Sequence, residues 1–210
     1  MKKLTVLFQG DSITDMDRDR SNIRNMGNGY PLFAASNFRA ANPKFPVDFL
    51  DLGISGNRVS DLRDRWQSDC LDLHPDVLSV LIGINDTWRR YDSNLMSEPE
   101  EFERIYRSLL EDARRENPNL KIIIMEPFVL HTSEERASWR EDLDPRIMAV
   151  RRVAKDYADA YIPLDGIMNA AAIDTCPEQW AADGVHPTPD GAALIASHWL
   201  DAFEKVLEEC

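Results

Sequence analysis

Six consecutive residues, Val77-Leu78-Ser79-Val80-Leu81-Ile82, form a nearly unbroken apolar run that stops at Gly83. A strand with one wet face alternates apolar and polar residues. A run this continuous belongs to a strand covered on both faces, which points to a parallel sheet sandwiched between helices. Further strands are expected over Leu4 to Phe8, over the alternating stretch Pro46 to Leu52, over Lys121 to Met125, and over Ala160 to Leu164. Pro163 lacks the amide proton that a central strand needs, so the last of these belongs at a sheet edge.

Helical spacing fills the intervals. Helices are predicted over Tyr30 to Ala41, Val59 to Asp72, from Ser97-Glu98-Pro99 onward, over Arg146 to Ala158, over Asp165 to Ile173, and from Thr188-Pro189 onward. In the third of these, Ser97 is the expected cap and Phe102, Ile105, Tyr106, Leu109 and Leu110 form the buried stripe. Strands and helices alternate without a repeat, a low-complexity linker or a composition break. The expectation is a single α/β domain spanning residues 1–210 with a mostly parallel sheet. At 210 residues, such a domain buries roughly 70% of the surface of its unfolded chain and needs no external staple.

Three stretches fall outside this pattern. The mixed-charge run Asp15-Met16-Asp17-Arg18-Asp19-Arg20 leads to a turn at Gly27-Asn28-Gly29 and is expected to line or cover a site. A long polar stretch containing Trp88, Arg89, Arg90 and Tyr91 follows the central strand. Val129 to Asp144 is charged and reads as a mobile excursion over the site.

Composition narrows the function. A formal net charge of −13 with no Lys/Arg-rich stripe repels a phosphate backbone, so nucleic acid is not an expected partner and a neutral substrate is. Cys70, Cys176 and Cys210 are odd in number and widely spaced, which argues for free thiols in a reducing, cytoplasmic setting. The basic start Met1-Lys2-Lys3 precedes an apolar run too short for a signal peptide, and no run reaches the ~20 residues needed to cross a bilayer.

Chemistry is placed where strands end. Gly10-Asp11-Ser12 follows the first strand and puts a hydroxyl at the rim where open α/β sheets bind ligands; Asp11 and Ser12 can equally cap the next segment. The second strand runs into Gly53-Ile54-Ser55-Gly56-Asn57-Arg58, whose glycines allow backbone amides to approach a ligand or simply make a tight turn. The central strand ends at Gly83-Ile84-Asn85-Asp86. Before the last helix, Asp183-Gly184-Val185-His186 places an acid three residues ahead of a histidine, the spacing of a carboxylate that orients an imidazole. The same stretch is also an ordinary Asp-Gly turn. Of the other histidines, His131 is the alternative, while His74 and His198 lie outside the strand ends that matter.

Taken together, Ser12 is the candidate nucleophile, His186 the proton carrier and Asp183 its orienting carboxylate. The amides of Ser12 and Gly56 and the side chain of Asn85 are the candidate oxyanion hole. No metal or other cofactor is expected.

In their order and spacing, Gly10-Asp11-Ser12, Gly56 within Ile54-Ser55-Gly56-Asn57, Asn85 within Gly83-Ile84-Asn85-Asp86, and Asp183 with His186-Pro187 resemble the four blocks of the SGNH (GDSL) hydrolase superfamily. The resemblance implies a flavodoxin-like three-layer α/β/α sandwich with a five-stranded parallel sheet, and metal-free ester hydrolysis through an acyl-enzyme. The runs Gly53 to Arg58, Gly83 to Asp92 and Glu126-Pro127-Phe128 are most similar to bacterial intracellular acetylxylan esterases. That implies an acetylated xylo-oligosaccharide or another small-acyl ester as substrate, and a homo-oligomeric assembly.

Asp11, Trp88 and Trp180 are candidate substrate contacts, the two tryptophans because one follows Asn85 and the other precedes Asp183; either ring can instead be core. Arg58 and Arg89 are possible partners of sugar hydroxyls. The competing readings are a lysophospholipase or arylesterase of the same superfamily, a metal-dependent phosphoesterase, and a non-catalytic carbohydrate-binding protein. The Gly-x-Ser-x-Gly elbow of the ordinary α/β-hydrolase fold is absent.

Overall fold

The computed structural model describes residues 3–208; the Met1-Lys2 start and Cys210 lie outside them. Strands β1 (Leu4–Gly10), β2 (Val47–Asp51), β3 (Val77–Leu81), β4 (Lys121–Met125) and β5 (Ala160–Ile162) form one sheet in the order β2-β1-β3-β4-β5. Every pairing is parallel. The helices are α1 (Ser12–Asp15), α2 (Tyr30–Ala41), α3 (Val59–Asp69), α4 (Ile84–Ser93), α5 (Pro99–Glu116), α6 (Glu134–Ser138), α7 (Arg140–Tyr157), α8 (Leu164–Ile173), α9 (Pro177–Trp180) and α10 (Pro189–Glu208).

The strand pleat sorts the core into two layers. Val6 and Phe8 face Tyr30 and Phe38 of α2 and Trp199 and Phe203 of α10, whereas Leu7 faces Leu62 and Trp66 of α3, Leu109 of α5 and Val153 of α7. The same alternation divides Leu78 and Val80 from Val77 and Leu81. All five residues of β3 are buried, as its apolar run requires. The one hydroxyl in that run, Ser79, accepts a hydrogen bond from the Trp199 ring nitrogen at 2.8 Å and so needs no water.

The strand order reverses between β1 and β3, and at such a switch point the loops leaving the two strands part to opposite faces and open a crevice. The segments after β1, β2 and β3 meet there, which gathers Ser12, Gly56 and Asn85 at one end of the sheet.

Four expectations need correction. The polar stretch after β3 is a helix, α4, of which only the first turn, Ile84 to Thr87, is buried. The helix expected from Arg146 begins at Arg140 and carries Pro145 inside it. Trp139 and Leu143 are fully buried at that end; burying two such side chains contributes roughly 1.5–3 kcal/mol each, enough to offset the ~3 kcal/mol that an interior proline costs. Val129 to Asp144 is therefore no excursion: Phe128, Val129 and Leu130 are core, and α6 follows them. Ser97 does not cap α5 either, since the cap position is Glu98 and makes no side-chain cap bond.

Candidate active site

Ser12 is the first residue of α1, and Asp11 is its cap. The Asp11 carboxylate accepts from the Ile13 amide at 3.0 Å and is fully buried, its second oxygen having no hydrogen-bond partner. Burial pushes this carboxyl up to about 7, against the lowering effect of the Ile13 amide. Asp11 thus shapes the turn from behind rather than lining a cleft.

The Ser12 hydroxyl lies 2.9 Å from Nε2 of His186, and the opposite ring nitrogen, Nδ1, lies 2.7 Å from the Asp183 carboxylate. The second Asp183 oxygen accepts from the amides of Val185 and His186 at 2.9 and 2.8 Å, folding the loop back on itself. Burial pushes the Asp183 carboxyl up, but the His186 ring and those two amides outweigh it and hold the group well below the usual carboxylate range. The hydrogen bond to Asp183 in turn raises the His186 imidazole above its ordinary value, against the opposing effect of burial. The result is an imidazole held in one orientation, with Nε2 facing a hydroxyl.

Gly184 makes that loop possible. Its φ of +82° lies in the left-handed region, and a Cβ there would stand 2.6 Å from the Leu130 carbonyl oxygen. The Leu130 amide donates to the Gly184 carbonyl at 2.8 Å, so the segment after β4 grips the histidine loop. Arg136 completes the grip. Its Nε donates to the Asp183 carbonyl at 2.8 Å, and its guanidinium lies 4.7 Å from the Trp88 ring and 4.0 Å from that of Trp139.

Across from the histidine, Gly56 adopts φ +86° and has open space where a side chain would be, the nearest atom being Arg89 Nη2 at 3.8 Å. Among the described residues neither the Gly56 nor the Ser12 amide has a hydrogen-bond acceptor. Asn85, nearly fully buried, spends one side-chain N–H on the Asn57 carbonyl at 3.1 Å and keeps the other uncommitted. Asp86 is buried as well and accepts from the Val59 amide at 3.1 Å; burial pushes its carboxyl up to about 7.

The charged loop after Ser12 forms the wall of a cleft of about 580 Å³ lined by Ser12, Asp15, Met16, Asp17, Arg18, Arg20, Ser55 and His186. It is pinned: Asp15 pairs with Arg20 and accepts from the Ser55 amide at 2.8 Å, and Arg18 donates to the Gly53 carbonyl at 2.8 Å. The Trp88 ring packs 5.7 Å from the His186 ring. Trp180 is half-buried, its ring nitrogen bonded to Thr175 at 2.8 Å. His131, the alternative histidine, sits exposed near Glu134. Asp11 caps α1, one of the two readings its sequence context allows; sequence reasoning missed Arg136, because a charged residue on a short helix carries no periodic signal.

Comparison with known proteins identifies the family. The model of the family described as GDSL-like Lipase/Acylhydrolase matches residues 8–194. An acetylxylan esterase of Geobacillus stearothermophilus is 33% identical over 204 residues, 93% of this chain and 91% of that protein. Its crystal structure superposes with a TM-score of 0.86 at 30% identity, over 97% of this chain and 94% of that one. A GDSL-like lipase from Parabacteroides merdae superposes with a TM-score of 0.92 at 35% identity, over 97% of each chain. The protein is thus a carboxylic ester hydrolase built on a five-stranded parallel α/β/α sandwich. It belongs to the GDSL (SGNH) family of lipases and acylhydrolases.

Proposed function

We propose that this enzyme removes acetyl groups from xylo-oligosaccharides through a Ser12-His186-Asp183 triad and an acetyl-enzyme. The observation that carries the reading is the relay of 2.9 and 2.7 Å from hydroxyl through imidazole to carboxylate. Ser12 Oγ attacks the ester carbonyl carbon as His186 Nε2 takes its proton, and Asp183 stabilises the imidazolium. The carbonyl oxygen becomes an oxyanion received by the amides of Ser12 and Gly56 and the free N–H of Asn85. Collapse breaks the bond to the sugar oxygen, which leaves with the proton from His186. Water, deprotonated by His186, then attacks the acetyl-Ser12 carbonyl; the carbon–Oγ bond breaks, His186 returns the proton to Ser12 Oγ, and acetate leaves.

The substrate class follows from the cleft and from kinship. Apart from Met16, its lining is polar or charged, with acids and arginines in equal number. Such a wall offers hydrogen-bond partners to a neutral, hydroxyl-rich leaving group. The relative from Geobacillus stearothermophilus is named for acetylxylan, and that specificity is carried to this chain here. Trp88, beside the His186 ring, is the aromatic best placed to meet a sugar face. No helix among the described residues is long and apolar enough to cross a membrane; a reducing compartment suits the free thiols of Cys70 and Cys176.

The test is release of acid from acetylated xylo-oligosaccharides, long-chain aryl esters and lysolipids by the native enzyme and by Ser12→Ala. The expected result is acetate from the oligosaccharides with native enzyme and none with the variant. Acetate release by Ser12→Ala at the native rate would overturn the mechanism, and preference for lysolipid would overturn the substrate.

A further inference from the structure

Arg65 lies on α3, behind the site, with only 14% of its side chain exposed. A long cation buried this far must be fully employed, and each of its three nitrogens has a partner. Nη1 meets the Asp69 carboxylate at 2.9 Å, Nε donates to the Asn57 side-chain oxygen at 2.8 Å, and Nη2 reaches the Gly10 carbonyl at 3.4 Å. The anchor is itself tied to the sheet, because the buried Gln9 side chain donates to the Asp69 carbonyl at 2.6 Å.

Two of those partners belong to the loops that carry the oxyanion donors. Gly10 precedes the Asp11-Ser12 turn, and its carbonyl also accepts from the Ile54 amide at 3.1 Å. Asn57 follows Gly56 directly, and its carbonyl receives the committed N–H of Asn85. One guanidinium therefore connects the turn bearing the Ser12 amide, the turn bearing the Gly56 amide and, through Asn57, the Asn85 side chain. Its planar fork can hold two acceptors at a fixed separation, which a single ammonium cannot.

We propose that Arg65 is a positioning residue for the oxyanion hole, acting through Asn57 to hold the donors of Gly56 and Asn85 at the spacing a tetrahedral intermediate requires. The inference rests on the oxyanion reading above and adds to it a residue that touches no reacting atom. Misplacing preorganised donors by a fraction of an ångström weakens them in the transition state more than in the ground state, so the loss falls on kcat and spares KM.

The experiment compares acetate release by the native enzyme, Arg65→Gln, Arg65→Lys, Asn57→Ala, Asn85→Ala and the double variant Arg65→Gln/Asn85→Ala. Arg65→Gln and Asn57→Ala are each expected to lower kcat about tenfold while KM moves less than about twofold. Arg65→Lys should recover only part of the loss, having one donor group in place of the fork. In the Asn85→Ala background the Arg65→Gln effect should shrink to about threefold or less, because one of the two donors it positions is gone.

A native kcat in Asn57→Ala, or an Arg65→Gln loss undiminished in the Asn85→Ala background, overturns the proposal and makes Arg65 a support of the fold alone. Asn57→Ala decides the matter even if Arg65→Gln fails to fold. Asn85→Ala with native turnover would instead overturn the oxyanion reading, and this inference with it.

Discussion

Arg136 Nε donates at 2.8 Å to the main-chain carbonyl of Asp183, the residue whose carboxylate holds the His186 ring. The same guanidinium lies over two indoles, one of which packs against that ring. Replacing Arg136 with Ala removes a charged hydrogen bond and two cation–π contacts from one loop. The expected loss is about tenfold in kcat, which is ~1.4 kcal/mol, with a lower melting temperature. Arg136→Lys keeps the charge near the rings and loses the directed donor, so it should fall between the two. Steady-state kinetics with thermal melts checks this; a native kcat in Arg136→Ala would separate the residue from the histidine loop.

On the proposed mechanism the acidic limb of kcat/KM reports the proton on His186, which must be absent for the ring to act as base. Asp183 raises that imidazole, so the limb should lie above the ordinary ~6.5. Asp183→Asn should move it to lower pH and cut the plateau by up to ~10⁴. Stability follows with opposite signs for the two partners. The Asp183 contribution is present above its unfolded value and lost as pH falls through its lowered folded one. The His186 contribution is present below its unfolded value and lost as pH rises through its raised folded one. Urea midpoints of native enzyme minus Asp183→Asn should therefore differ most between about pH 4 and 6.5.

Asp11 and Asp86 carry the reverse linkage of ordinary acids. Burial pushes both up to about 7, so their contribution to stability is full below the usual carboxyl value and is lost as pH rises through about 7. Asp86→Asn keeps an acceptor for the Val59 amide and removes the buried charge. Its urea midpoint should match the native one near pH 4 and exceed it near pH 8; equal midpoints across that range would show that Asp86 ionises normally.

Two glycines with similar φ should respond differently to alanine. At Gly56 the space is open, and the cost is backbone strain alone, about 1–2 kcal/mol. At Gly184 the added methyl would press on the Leu130 carbonyl at 2.6 Å and on Thr132 at 2.8 Å, so strain and collision add. Gly184→Ala should lower the melting temperature further than Gly56→Ala, and a reversed ranking in thermal melts would contradict the loop geometry.

Much of this architecture was legible because it depends on what a residue type can do locally. The apolar run of β3 needs cover on both faces, and the glycines and polar groups that end β1, β2 and β3 sit where the sheet opens. The spacing of Asp183 and His186 is short enough for one loop to hold both. What escaped notice depends on partners distant in sequence. α4 carries Ile84, Trp88 and Tyr91 at helical spacing, yet the residues it buries in its first turn include Asn85, Asp86 and Thr87, and the arginines and acids around them make it read as a polar stretch. Arg146 is fully buried beside Asp142 at 3.0 Å, yet in sequence it is one more arginine in a charged stretch. Pro145 reads as a helix boundary until Trp139 and Leu143 are known to be core.

Ser12 and His186 stand 174 positions apart, on segments that flank nearly all of the sheet between them. On the proposed mechanism, a chain emerging from the ribosome carries its nucleophile long before it carries anything able to take that proton, and the intervening strands must find their order first. On that mechanism hydrolysis begins only when the late histidine loop docks against the early serine turn. A time course of esterase activity during synthesis or refolding thus counts finished molecules, because partly assembled ones stay silent.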